Sequence, residues 1–270
     1  MTAKQWLQSP KGYVTMAMIA YLVIASLGSH SAAGIMNGLI AVVVSLLIDY
    51  LCSRAEKRKR IVLDGAVITG LIVSLVLSST ASWLILSATA AMAVISKHLI
   101  VYKKKPVLNP AALGLLLSIP LFHAGQSWWG AFGDLPVWNI LFLLAGGYII
   151  SNRVQKYPQV FAFFAVFFLL LLVMGVLHIG EASDALRPPF INATLFFGFF
   201  MLTDPPTSPA KVKDQIVFGI AVAVTGAVVY AIFGGLTYLF IGLLAGNIYH
   251  WLKARLPLQL SKENRYNHFK

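Results

Sequence analysis

Residues 157–179 read YPQVFAFFAVFFLLLLVMGVLHI, twenty-three residues without one Asp, Glu, Lys or Arg. A helix rises 1.5 Å per residue, so about 20 apolar residues cross the roughly 30 Å hydrocarbon core of a bilayer. A helix on the surface of a soluble domain carries a polar face, and this run has none. Nine further apolar runs lie on either side of it, at 12–28, 32–52, 61–79, 81–96, 107–123, 135–151, 188–204, 215–233 and 235–252. The whole chain of 270 residues is 59% hydrophobic and 11% charged, with a mean hydropathy of +0.79. Soluble domains carry about a quarter charged residues. The expected fold is therefore all-α: a polytopic membrane protein of about ten transmembrane helices, forming a single transmembrane domain over 1–270. Several runs are short, which predicts broken helices or helices sheltered inside the bundle.

The net charge of +12 suggests nucleic acid only until the charges are placed. They fall in short clusters between apolar runs, so no nucleic-acid partner is expected and the lipid bilayer is. The clusters are Lys4 and Lys11; Arg54-Ala55-Glu56-Lys57-Arg58-Lys59-Arg60; Lys97 with Lys103-Lys104-Lys105; Arg153 and Lys156; Lys211 and Lys213; and Lys253, Arg255, Lys262, Arg265 and Lys270. Counting ten crossings puts 20 of the 21 basic residues on one side, with Arg187 the exception. Cytoplasmic loops carry such an excess, so residues 1–11 and the basic tail 253–270 are both expected in the cytoplasm, beneath a bacterial inner membrane. The first run ends at Leu27-Gly28-Ser29-His30 without a small-x-small cleavage site, and reads as a retained helix.

The outward loops are too short to bury a core of their own. The longest, Phe122 to Pro136, contains Gln126-Ser127-Trp128-Trp129 and is expected to anchor at the membrane interface. Small residues at helical spacing, Gly34/Gly38 and Gly242/Gly246, are expected to let helices approach closely. The single Cys52 rules out an intrachain disulfide and any four-thiolate cluster built by this chain. Motifs of soluble enzymes are missing: no Gly-x-Gly-x-x-Gly, Walker A, His-Glu-x-x-His or nucleophile elbow occurs. Any nicotinamide-binding subunit must then be a separate chain.

Three polar segments interrupt the apolar runs, all at expected cytoplasmic helix ends: Leu63-Asp64-Gly65 through Thr69-Gly70-Leu71, Leu108-Asn109-Pro110-Ala111, and Phe199 to Pro209 with Thr203-Asp204-Pro205-Pro206 at its centre. Asn109-Pro110 has the form of a helix start, cap then proline, and helix-start amides bind polar ligand edges. Asp204-Pro205-Pro206 ends a helix, since two prolines cannot continue it. Donors at one helix end and acceptors at the other suit a planar heterocycle. Taken singly, Asp64, Asn109 and Asp204 are each accounted for as interfacial helix caps.

Taken together, Asp64-Gly65…Thr69-Gly70, Lys97-His98, Asn109-Pro110-Ala111 and Phe200-Met201-x-Thr203-Asp204-Pro205, in that order, resemble the NqrB/RnfD family of membrane subunits, whose members serve the sodium-pumping NADH:quinone reductase and the Rnf electron-transport complex. The resemblance covers roughly residues 60–250. It implies two inverted five-helix repeats and electron relay through flavin, coupled in the large complexes to ion transport. The family's covalent FMN sits on the threonine of Ser-Gly-Ala-Thr in the outward loop between the fifth and sixth helices. Here that loop has no threonine, and the nearest string, Ser87-Ala88-Thr89, lacks the glycine; no covalent FMN is expected. Ile191-Asn192-Ala193-Thr194 also departs from the family's glycine pair. The family's non-covalent flavin site implies riboflavin or FMN held by Asn109, Pro110, Ala111, Thr203, Asp204 and Asp64. The expected partners are other redox membrane subunits and an extracytoplasmic flavinylated protein.

Two readings of other kinds compete. A transporter or channel without redox chemistry would use Asp49 and Asp64 as a cation or proton path, although pairing with Arg54 or Arg58 in the adjoining loop accounts for both. A haem protein would draw on His98 and His250, or on His30, His123 and His178, as axial ligands, yet no two of these share one face of one helix.

Overall fold

The computed structural model describes residues 2–180 and 182–267. A short helix α1 (Ala3–Leu7) precedes ten longer ones: α2 (Pro10–Gly28), α3 (Ala33–Ala55), α4 (Asp64–Val76), α5 (Trp83–Leu99), α6 (Pro110–Phe122), α7 (Ile140–Arg153), α8 (Tyr157–Val176), α9 (Phe190–Phe196), α10 (Val212–Phe233) and α11 (Thr237–Asn267). The last turn of α9 widens into π geometry over Phe197–Met201. A two-stranded hairpin, β1 (Val101–Tyr102) and β2 (Lys105–Pro106), joins α5 to α6. The ten longer helices fall on the ten apolar runs, and the chain is an all-α, multi-pass membrane protein. The expected basic tail continues α11 rather than leaving it, and residues 268–270, including Lys270, lie outside the described residues.

Among the described residues, α2, α3, α8 and α10 are long and apolar enough to cross a bilayer alone. Helices α4, α5, α6 and α9 are shorter, as the short runs suggested, whereas α11, at 31 residues, runs on past its apolar part. Local chemistry sets several starts: Ser9 accepts from Gly12 N ahead of Pro10, Ser82 accepts from Ile85 N, and Asn109 accepts from Ala112 N ahead of Pro110. Asp64 differs from expectation. It is the first residue of α4 and not its cap; the cap position is Leu63, which makes no side-chain hydrogen bond.

The packing repeats itself. Helix α2 packs on α4 as α7 packs on α9; α3 packs on α5 as α8 on α10; α5 packs on α6 as α10 on α11. Five helices carry the chain to the opposite side, so the second set is inverted relative to the first. The halves meet where α2 touches α7 and α6 touches α11. In each half the third helix is broken short: α4 has 13 residues and α9 has 7 before its π turn. The small residues act as expected. A Cβ on Gly242 would stand 2.9 Å from the Val222 carbonyl oxygen, and one on Gly38 would stand 2.5 Å from the Leu22 side chain.

The loop 123–136 corrects the expectation of an interfacial anchor. Trp128 is 1% exposed and Trp129 9% exposed. Trp129 Nε1 donates to Ser74 O at 2.7 Å, while Ser127 N and Trp128 N both reach Val76 O. Trp128 stacks on Phe240 at 5.3 Å, and Asn192 Nδ2 donates to Ala131 O. The loop plugs the bundle between the broken helices. Carbonyls that end a helix at membrane depth need donors, and this loop supplies them to the end of α4.

Candidate functional site

The loops expected on the basic side do meet. Pro10 and Lys11, Arg58 and Val62, Lys97, Lys104, Lys105 and Pro106, Val154, and Asp204 to Pro206 all line one cavity of about 500 Å³. The opposite loops meet at the other end: Ser78 N donates to Gly125 O, Asn37 Nδ2 to Ser79 O, and a Cβ on Gly133 would strike Pro189. Arg187, the exception in the charge partition, lies 3.8 Å from Asp184 at that end.

All three polar segments contribute to the cavity. Gly65, Ile68, Thr69 and Ile72 come from α4, Asn109, Pro110 and Ala111 from the start of α6, and Phe200, Thr203 and Asp204 from the π turn and the bend beyond it. Of the six candidate residues, Asn109, Pro110, Ala111, Thr203 and Asp204 are therefore brought together. Asp64 is not among the lining residues; its Oδ1 accepts from Trp6 Nε1 at 3.1 Å and its Oδ2 lies 3.9 Å from Lys11.

The Asn109 side chain is committed within the fold. Its Oδ1 caps α6 at Ala112 N, and its Nδ2 donates to Met201 O at 3.2 Å. Sequence reasoning missed the residue that fixes this junction from behind. Asn247, fully buried on α11, accepts from Asn109 N at 2.8 Å and donates to Thr207 O at 3.0 Å. One side chain thus spans the start of α6 and the turn after Asp204. A lone asparagine between Gly246 and Ile248 in an apolar run was the only signal available. Gln159 of α8, likewise fully buried, donates to Leu202 O at 2.5 Å and holds the same bend.

Thr203 Oγ1 donates to Phe199 O at 2.7 Å, closing over the π turn. The half-buried Asp204 accepts from Thr207 Oγ1 at 2.8 Å. Burial pushes its carboxyl above the usual carboxylate range, against the Thr207 hydrogen bond and the charges of Lys156, Lys11 and Lys97. Lys156 is buried beneath the bend, its ammonium donating to Ser208 O and Pro209 O. Burial draws its pKa from 10.5 down to about 8, with Asp204 pulling the other way.

The two intramembrane carboxylates do not pair with Arg54 or Arg58, contrary to the sequence reading. Asp49, 1% exposed, meets Lys97 Nζ at 2.8 Å and His98 Nε2 at 2.6 Å, both from α5. The partners lie 48 and 49 residues away and reach Asp49 because α3 and α5 pack together. His98 Nδ1 meets Glu56 Oε1 at 2.6 Å. Both ring nitrogens of His98 are thus occupied, which leaves neither to bind iron.

The cavity's chemistry fits a planar, edge-polar ligand. Val14, Ile68, Ile72 and Phe200 supply apolar surface, and Asp204 supplies acceptor oxygens. Ala111 N–H is the orphan amide of the first turn of α6: Pro110 has none, Asn109 caps Ala112, and Leu113 N reaches Asn109 O. Five cationic side chains line the cavity with a single carboxylate, Asp204, which favours an occupant carrying negative charge.

Comparison with known proteins agrees with the architecture. Curated relatives are the ion-translocating oxidoreductase complex subunit RnfD of Sodalis glossinidius, 34% identical over 120 residues, and the proteins of the same name from Shewanella sediminis, 31% over 153 residues, and Haemophilus influenzae, 29% over 125 residues. These matches take in 43%, 53% and 43% of this chain but only 32%, 42% and 31% of the relatives' length. The model of the NQR2, RnfD, RnfE family matches residues 2–135 and 121–241. Those two matches together run through nine of the ten long helices and into α11, and the chain belongs to the NQR2, RnfD, RnfE family.

Proposed function

We propose that this chain is a membrane subunit of an ion-translocating electron-transport complex, with its basic end in the cytoplasm of a bacterial cell. Its cavity holds riboflavin or FMN without a covalent bond. The observation that carries this reading is the convergence of three polar segments, far apart in sequence, on one cavity of about 500 Å³. That volume lies within the range of about 300–1,000 Å³ common to small-molecule sites.

When bound, the flavin supplies the one- and two-electron chemistry; the chain's own residues position and tune. Ala111 N–H donates to an acceptor on the ring edge, and Asp204 accepts from a donor on it. Phe200 and Ile72 pack on the ring face. Lys11, Lys97, Lys104, Lys105 and Arg58 offset negative charge that arrives with electrons or sits on a phosphate. Asn109, at the cavity wall, and Asn247 and Gln159, behind it, hold the two helix ends at their spacing. Electrons pass to and from other redox membrane subunits, including a flavinylated protein beyond the membrane. The outward loop has no threonine and fills its place with buried tryptophans, so no covalent FMN is assigned to it.

The visible spectrum of protein purified in mild detergent, taken before and after acid precipitation, tests the reading. Flavin released to the supernatant is the expected result. Protein without flavin absorbance after gentle extraction refutes the redox function, and flavin retained in the pellet refutes the non-covalent assignment.

A further inference from the structure

The lining of the cavity runs from buried to exposed. Asn109, Ala111 and Thr203 are buried and Asp204 is half-buried, whereas Lys11, Arg58, Lys104 and Lys105 are exposed at the mouth. The groups suited to a ring edge thus lie deep, and most of the cations lie where a tail would emerge. Three of the five lining cations have acidic neighbours. Lys97 meets Asp49 at 2.8 Å, Arg58 meets Glu56 at 2.5 Å, and Lys11 lies 3.9 Å from Asp64. Among the described residues, Lys104 and Lys105 have no acidic partner.

The hairpin fixes these two lysines in place. Pairing of Tyr102 with Lys105 leaves Lys103 and Lys104 as its two turn residues, and both are left-handed, with φ of +50° and +64°. Such a turn favours Asn-Gly, and a left-handed backbone is costly for a residue with a Cβ. The hairpin is closed at its base by Val107 N, which donates to Ile100 O at 2.9 Å. Tyr102 pins it to α11, meeting Trp251 edge-on at 6.4 Å with the Arg255 guanidinium 5.7 Å from its ring. Lys103 turns onto the same ring at 5.4 Å and does not line the cavity. Lys104 and Lys105 do line it.

We propose that Lys104 and Lys105 hold a phosphate monoester carried by the ligand, so that the cavity takes FMN in preference to riboflavin. The assignment rests on the proposed function, in which a flavin ring occupies the buried end. A phosphate monoester carries about 1.5–2 negative charges at neutral pH, and two cations without acidic partners match it. Lysine binds phosphate as a point charge, through charge-assisted hydrogen bonds. Riboflavin ends in a neutral hydroxyl at the same place and gains no ion pair from either lysine. At an exposed mouth the attraction is screened by salt, so selection is strongest at low ionic strength. A lipid headgroup also offers phosphate, but these lysines line the same cavity as the ring-edge groups, which ties their charge to its occupant.

The test uses the full chain in phosphatidylcholine nanodiscs, washed free of flavin and titrated with riboflavin or FMN while flavin fluorescence is followed. At low salt FMN should bind at least about tenfold more tightly, and added salt should narrow that ratio. Replacing both lysines, Lys104→Gln with Lys105→Gln, should bring the ratio close to one. Lys103→Gln removes a charge from the same hairpin but not from the cavity, and should keep most of the ratio. If the double variant does not fold, Lys104→Gln and Lys105→Gln singly decide, each giving up part of the ratio. A native chain that binds both flavins equally, or riboflavin more tightly, overturns the proposal and leaves the flavin reading standing. A Lys103→Gln chain that loses as much selectivity as the cavity variants overturns it too, because only the general field of the basic end then acts. Anionic phospholipid that stays with the native chain through purification and leaves the double variant, together with equal affinity for the two flavins, assigns the lysines to the membrane and overturns it. Binding of neither flavin overturns the flavin reading and this proposal with it.

Discussion

Replacing Asn109 by alanine removes two separate contributions whose sizes can be worked from the structure. The first is the cap on α6, where Oδ1 accepts from Ala112 N at 3.0 Å; losing such a cap costs about 1 kcal/mol. The second is the tie from Nδ2 to Met201 O at 3.2 Å. Asn109 is 3% exposed and Met201 fully buried, so water does not replace the lost donor; Met201 O keeps only the long bond from Asp204 N at 3.4 Å, and a buried carbonyl left so poorly satisfied costs about 1–3 kcal/mol. Together the losses come to about 2–4 kcal/mol. Asn109→Ser separates them: it keeps an oxygen for the cap but is too short to reach Met201, and should show the larger share of the loss. Asn109→Asp keeps the cap and sets a carboxylate against the Met201 carbonyl, so it should be at least as harmful as alanine. Reversible unfolding in mixed micelles, followed by tryptophan fluorescence, measures each variant. Flavin retention in the same preparations should fall in the same order. An alanine variant within about 0.5 kcal/mol of the native chain, the size of an ordinary surface change, would refute the claim that this side chain joins the two helix ends.

Other consequences of the packing are as direct. Asn247→Leu leaves Asn109 N and Thr207 O without their partners; unfolding free energy should fall by about 2–4 kcal/mol, and flavin should wash out more readily although residue 247 does not line the cavity. Gly114→Val places a Cβ 2.6 Å from Ala93 Cβ and 2.9 Å from its Cα. Because α5 must then move off α6, a loss of about 1–3 kcal/mol is expected in the same unfolding assay. Lys156 predicts a pH dependence. Its folded pKa of about 8 lies below the ordinary 10.5, so between those values the unfolded chain binds a proton that the folded chain lacks. Stability attributable to this group therefore rises as pH climbs from about 8 toward 10.5. A comparison of melting curves across that range should find the rise in the native chain and not in Lys156→Met.

What could be read from the sequence was what lipid or local backbone chemistry enforces. Bilayer thickness dictates runs such as 157–179, exclusion from hydrocarbon confines Lys and Arg to the loops, and the bias of those residues to one side made the shared end of the basic loops legible along with the helices. Asn109-Pro110 declares a helix start within three residues of chain. Asp49 was not legible in the same way. The cations it was expected to pair with, Arg54 and Arg58, lie just beyond it in sequence, while Lys97 and His98 reach it only through the pairing of α3 with α5. Gln126-Ser127-Trp128-Trp129 misled for a related reason, since its composition suits a membrane interface and a buried plug equally. The deciding fact lies elsewhere in the chain, in a helix α4 that stops after 13 residues and leaves the Ser74 and Val76 carbonyls to be met by donors from that loop. The other broken helix poses the same demand at the basic end. The carbonyls of Met201 and Leu202, freed where α9 widens and stops, are met by Asn109 and Gln159. Broken helices thus place backbone polar groups at depth at both ends of the bundle. At one end the loop packs into the gap with Trp128 and Trp129 buried. At the other, the residues that meet the carbonyls also frame a cavity, and the same breaks that make the fold hard to read from sequence are what give it room for a ligand.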